Sequence, residues 1–190
     1  GHYMSAWATT LLALHELWKR HAERALELAE AARRDFRQDG GVAVANATAV
    51  CAAAHVLGGD RDAALAAADE TLALLERGPL LYFMWPACDT TTSALLDLWQ
   101  EARDRDEAAP LRRRALRACR LARALGARSA IGKPIALRAA AAVALLDGRA
   151  GRARSLYQAA GERARALLLP IVEAQVGLES ARLDAEGGRG

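Results

Sequence analysis

Six arginines, Arg112, Arg113, Arg114, Arg117, Arg120 and Arg123, fall within one stretch of twelve residues. Arg113, Arg117 and Arg120 stand at i, i+4 and i+7, the spacing that stacks side chains on one helix face. A guanidinium row of that kind grips carboxylates or phosphates through paired N–H donors. Two main readings stay open: a solvated face, or a surface for an acidic protein or peptide. Nucleic acid is the least supported partner, because the net charge is only +3 and neither interleaved aromatics nor a reader motif accompanies the row. Charge is nevertheless uneven along the chain. Residues 1–100 carry 8 basic and 13 acidic side chains, and residues 101–190 carry 18 and 10.

The second concentration is aromatic. Tyr82, Phe83 and Trp85 are three of the chain's nine aromatic residues, set in Gly78-Pro79-Leu80-Leu81-Tyr82-Phe83-Met84-Trp85-Pro86. They either fill a widened gap between helices or anchor a ligand, as aromatics do at binding hot spots.

Other candidate chemistries fail on spacing. Gly126-Ala127-Arg128-Ser129-Ala130-Ile131-Gly132-Lys133-Pro134 has the outline of a phosphate loop, but five residues separate its glycines and Pro134 replaces the magnesium-binding hydroxyl. It reads as a hairpin connection. His15 and His21 are six residues apart, about 240° around a helix, so they cannot share a metal. Cys51, Cys88 and Cys119 are odd in number and widely separated, so neither a disulfide framework nor a zinc knuckle is expected. No catalytic residue, metal or cofactor is assigned. The longest apolar run, Ala139 to Leu146, falls far short of the ~20 residues that cross a bilayer, so no membrane partner is expected and a reducing cytoplasm is the expected compartment.

The elements that must position these residues are legible in a repeat. Leu26, Leu65, Leu116 and Leu156 sit in similar alanine-rich segments at steps of 39, 51 and 40 residues. A period of that length marks stacked helical hairpins, each burying its apolar face against its neighbours. No segment alternates apolar and polar residues as a strand would. Helices are predicted over about 5–20 and 22–38, 42–57 and 60–77, 86–103 and 107–125, 134–146 and 151–168, with a last one over 171–185. Glycines at 40, 41, 58, 59, 78, 126 and 148 mark the turns. The 51-residue step marks an interruption of about 11 residues, with room for it at 78–86 and at 102–109.

Small residues at fixed places carry a resemblance. Ala13, Ala25 and Ala32 in the first pair, Ala52, Gly59 and Ala64 in the second, and Ala115 in the third match the pattern of the tetratricopeptide repeat. Thr71 and Ser155 stand where that family has alanine. The units are nearer 40 than 34 residues, which resembles the sensor regions of large bacterial signalling regulators. The resemblance implies a ligand-facing surface on the first helix of each pair, with Trp7, Thr10 and Leu14, then Asn46, Ala49 and Ala53. It implies that Asn46 hydrogen-bonds the backbone of an extended peptide.

The expected fold is all-α: a right-handed α-α superhelix of about four helical hairpins plus a C-terminal capping helix. One repeat domain is expected over 1–186, with repeats at 5–39, 42–78, 86–126 and 134–169, a cap at 171–185 and a disordered tail over 187–190. The leading Gly1-His2 reads as a tag scar, so flanking domains are expected. The expected function is non-catalytic binding of a protein, a peptide or a small effector within a bacterial regulatory protein. The candidate contacts are Tyr82, Phe83, Trp85, Asn46, Arg113, Arg117 and Arg120. The alternative is a free-standing adaptor or self-association scaffold, a homo-oligomer in which acidic and basic ends of different copies meet. A helical-bundle enzyme or nucleic-acid binder stands behind both.

Overall fold

Alanine favours helix and leaves little side-chain bulk between axes, so alanine-rich helices pack closely. The computed structural model of the chain describes residues 2–36, 41–77, 80, 82–102 and 108–187, and among them every regular element is helical. They are α1 (His2–Trp18), α2 (Ala22–Asp35), α3 (Val42–Gly58), α4 (Arg61–Glu76), α5 (Trp85–Glu101), α6 (Ala108–Arg128), α7 (Gly132–Leu146), α8 (Ala150–Ala166) and α9 (Pro170–Gly187). A short 3-10 turn, Tyr82–Met84, leads into α5. The chain forms two compact units, Gly1–Ala118 and Cys119–Gly190, and the division falls inside α6. None of the described helices is long and apolar enough to cross a membrane. Of the tail expected over 187–190, Gly187 ends α9 and the rest lies outside the described residues.

In the first unit α1 to α4 each pack on the next helix, and α1 and α3 also lie beside the first helix of the following pair. Thus α1 meets α2 and α3, while α3 meets α2, α4 and α5. Surrounded in this way, α3 buries nearly its whole circumference, from Ala43 through Ala45, Asn46, Ala47, Thr48, Ala49, Val50, Cys51 and Ala52 to Ala54. A helix buried all round must be apolar all round, and here it is also small. Phe36 supplies the bulk where α1, α2 and α3 converge, packed with Ala6, Ala32, Ala43 and Ala47. Trp7 meets it edge-on, ring centroids 5.9 Å apart, a preferred aromatic geometry.

The second unit repeats the arrangement with α7 on α8 and α8 on α9. Ala153, Tyr157, Ala160 and Ala164 form the inner face of α8, meeting Ala141 and Ala144 of α7 and Val172, Val176 and Leu183 of α9. Across the α6–α7 turn the backbone itself makes contact. A Cβ on Gly132 would lie 2.8 Å from Gly126 N and 2.9 Å from both Gly126 Cα and Leu125 C. The glycine pair that outlines a phosphate loop is therefore the contact surface of a helical turn.

The 51-residue step is not one insertion. Helices α3 and α5 are equally long, at 17 residues. The excess is shared by the α4–α5 connection, the stretch 102–107 between α5 and α6, a slightly longer α4 and an early start of α6.

Four hairpin turns close in the same way. Asp60 N–H donates to His55 O at 2.9 Å, Arg149 to Ala144 at 2.8 Å, His21 to Glu16 at 2.9 Å and Leu169 to Ala164 at 2.9 Å. This six-to-one bond needs a left-handed residue just before its donor. Gly59 and Gly148 occupy it at φ 80° and 79°, but Arg20 and Leu168 do so at 62° and 54°. A side chain in that region costs about 1–2 kcal/mol, and Leu168 recovers nothing by packing because it is 86% exposed.

Two opposite outcomes follow for urea unfolding. Leu168→Gly should stabilise the protein by about 1 kcal/mol, after allowance for the unfolded-state entropy of glycine. Gly132→Ala should destabilise it by about 2 kcal/mol or more, because the colliding atoms are backbone and cannot rotate away. Equal midpoints for the two variants would contradict the turn geometry.

Candidate functional site

The aromatic interruption and Asn46, singled out separately in the sequence, meet. Asn46 projects from α3, 1% exposed. Its Nδ2 donates to Phe83 O at 3.1 Å, and its Oδ1 accepts from Ala87 N–H at 2.9 Å. Helix α5 has no side-chain cap of its own at Met84, and Pro86 in its first turn has no N–H. Asn46 thus satisfies an N-terminal donor of α5 from a neighbouring helix. The amide does bind backbone in both senses, but the backbone is the chain's own. Around this anchor Met84 is buried, Trp85 half-buried and Phe83 exposed at 36%. The Tyr82 side chain lies outside the described residues.

The arginine row is divided by its partners. Arg114 Nε lies 3.0 Å from both carboxylate oxygens of Asp69 on α4. Arg117 Nε reaches Glu76 Oε1 at 2.7 Å, and its Nη2 meets Glu76 Oε2. That forked bond raises the Arg117 guanidinium above its already high pKa. Arg112 lies over the Trp99 ring, 5.7 Å from its centroid. From the other side Arg33 of α2 holds Glu70 of α4 with Nη2 2.6 Å from Oε1. These side chains are 31–41% exposed, so each pair contributes only about 0.2–1 kcal/mol in solvent. Their effect is directional: they fix α6 and α2 against α4 by charge. Arg113 and Arg120 remain exposed, two helical turns apart. The shared face of Arg113, Arg117 and Arg120 is therefore split, with Arg117 committed inward to α4.

The second unit contains a groove that the sequence reading missed. It is a shallow depression between α8 and α9, open to solvent, of about 550 Å³, and is lined by Tyr157, Gly161, Arg165, Glu173, Val176 and Gly177 among others. Arg165 Nε bonds Glu173 Oε1 at 2.8 Å across it. Neither glycine is demanded by packing. A Cβ on Gly161 would make an ordinary 3.6 Å contact with Val176, and one on Gly177 would meet nothing within 4 Å. In a helix interior glycine costs about 0.8–1.0 kcal/mol relative to alanine, so both hold the groove open at a cost to the helices. Behind it, Arg138 of α7, only 7% exposed, donates to Glu179 Oε1 at 2.7 Å. Burial, together with the Glu179 charge and hydrogen bond, pushes the Tyr157 hydroxyl well above its usual pKa. The signal available in the sequence was the pair of mid-helix glycines in a chain that otherwise uses alanine.

The thiols are enclosed. Burial pushes Cys51 up to about 11, Cys88 to about 12 and Cys119 to about 11, so they are protonated at neutral pH and poor nucleophiles. His21 Nδ1 and Lys19 Nζ both reach the Glu16 carboxylate, at 2.7 and 3.0 Å, and lower its pKa. Among the described residues no three His, Cys, Asp or Glu side chains gather closely enough to hold a metal ion.

No known protein family, curated protein or solved structure matches this chain.

Replacing Asn46 by leucine keeps the branched shape, adds some bulk, and strands the buried Ala87 N–H. The expected loss in urea unfolding is about 2–3 kcal/mol, with the α5 N-terminus losing amide-exchange protection first. Unchanged protection at Ala87 would show that the cross-helix cap does not hold.

Proposed function

We propose that this chain is a non-catalytic, tetratricopeptide-like repeat module of a bacterial regulatory protein. It binds an extended peptide, a segment of a partner protein or a small effector. The observation that carries the reading is the α8–α9 groove, whose two glycines have no packing requirement and leave open a channel floored by Tyr157 and Val176. Concave, partly apolar channels with a few polar groups are the usual form of ligand sites. The Arg165–Glu173 pair offers both charges at one place, suited to the polar backbone and side chains of a peptide. The packing order within each unit supports the repeat assignment, since each hairpin rests on its neighbour and α1 and α3 lie side by side. Arg113 and Arg120, both exposed on α6, are a separate cationic feature that favours acidic sequences in a partner.

A peptide library displayed on phage tests the reading. Selection on the wild type should enrich a family of peptides. The same peptides should lose at least tenfold in affinity for Gly177→Leu, which fills the groove while improving helix propensity and leaves thermal stability unchanged or raised. Arg113→Glu with Arg120→Glu should weaken only the acidic members. No enrichment on the wild type, or enriched peptides indifferent to Gly177→Leu, would sink the groove assignment.

A further inference from the structure

We propose that two copies of this chain associate through α1, packed antiparallel about a two-fold axis beside Leu11. The inference is independent of the α8–α9 groove. Helix α1 packs on α2 and α3 through Ala6, Thr10, Ala13 and Leu14, all buried. On the opposite face Met4, Ala8, Leu11, His15 and Trp18 recur at steps of four, three, four and three residues, a narrow stripe with coiled-coil spacing. Met4 is 72% exposed, Leu11 58%, Leu12 beside it 56% and Trp18 44%. No charged residue occurs between Met4 and His15, so apart from Ser5 and His15 this side of the helix is apolar.

The occupant is argued from area and from the order of side chains. The exposed parts of Met4, Leu11, Leu12 and Trp18 amount to roughly 400 Å² per copy, already within the range where a patch on a monomer signals an interface. With the flanks of Ser5, Ala8 and His15 the pair would bury on the order of 1,200 Å², the lower end of stable protein interfaces. A second α1 is the partner that matches, because the stripe complements itself when reversed. Leu11 meets Leu11 of the other copy, Met4 meets Trp18, and small Ala8 meets large His15. Antiparallel alignment also opposes the helix dipoles, and an isologous pair closes without leaving a further apolar face. Charged partners find no counter-charge here, since Glu16 is already held by Lys19 and His21.

Sedimentation equilibrium of the full chain from 1 to 100 µM, in 0.1 and 0.5 M NaCl, tests the proposal. The wild type should be a dimer whose affinity is unchanged or stronger in high salt. Leu11→Lys, on an exposed position, should weaken dimerisation at least tenfold while the helical circular dichroism of the monomer stays the same. A wild type that is monomeric at 100 µM overturns the proposal, as does a Leu11→Lys dimer of wild-type affinity or a dimer that dissociates in high salt. Orientation is read by mixing Met4→Cys with Trp18→Cys under oxidation. The mixed disulfide dimer is expected, and homodimeric disulfides in its place would overturn the antiparallel packing.

Discussion

The first unit depends on the complete enclosure of α3. Four helices and the 3-10 turn rest on it, which is possible only because its side chains are small. Six of its ten buried residues are alanine and none is larger than asparagine or valine, which lets neighbouring axes approach, and the buried area of many short contacts replaces that of a few large ones. The consequence is a core with little room for error. A larger residue between Ala45 and Ala52, where every position is buried, would have no face on which to turn outward. The second unit meets the same constraint at Gly132, where even a methyl group is too large, and at Gly126, where one would fit only tightly.

An enclosed helix can carry a polar group only if the group is fully used. Asn46 meets that condition by spending its donor and acceptor on Phe83 O and Ala87 N–H. The effect reaches beyond α3, because the bond fixes where α5 begins and which aromatics around it face outward. Charge follows a similar economy. Acidic Asp69, Glu70 and Glu76 on α4 receive arginines from α2 and α6, so much of the contrast between an acidic first half and a basic second half is settled within the first unit. Arg114 and Arg117 are turned to α4, while Arg112, Arg113, Arg120, Arg123 and Arg128 stay exposed on α6.

Helix positions were readable because they follow from local chemistry. Alanine runs, turn glycines and the spacing of Ala25, Ala29 and Ala32 place each helix within a few residues of where it lies. The turns were readable where glycine supplied the left-handed residue, and less so at Arg20 and Leu168, where closure of the hairpin overrides the side chain's preference. The role of Asn46 was half visible: the repeat resemblance implied a backbone hydrogen bond, but to a bound peptide, and nothing nearby in sequence named residues 83 and 87 as the partners. The α8–α9 groove left only the faint trace of two glycines, since a groove is space between elements and sequence describes elements.

By itself, then, the sequence determined an all-helical chain, its hairpin order and the small residues that let helices approach, because those depend on propensity and period along the backbone. Tertiary structure alone decided which arginines are consumed by α4, that Asn46 caps α5, and that α1 keeps an apolar stripe uncovered while Gly161 and Gly177 open a channel. Each of these depends on distances between residues some 15 to 50 positions apart or on faces that no described element covers. Such relations arise only when the helices are placed in three dimensions.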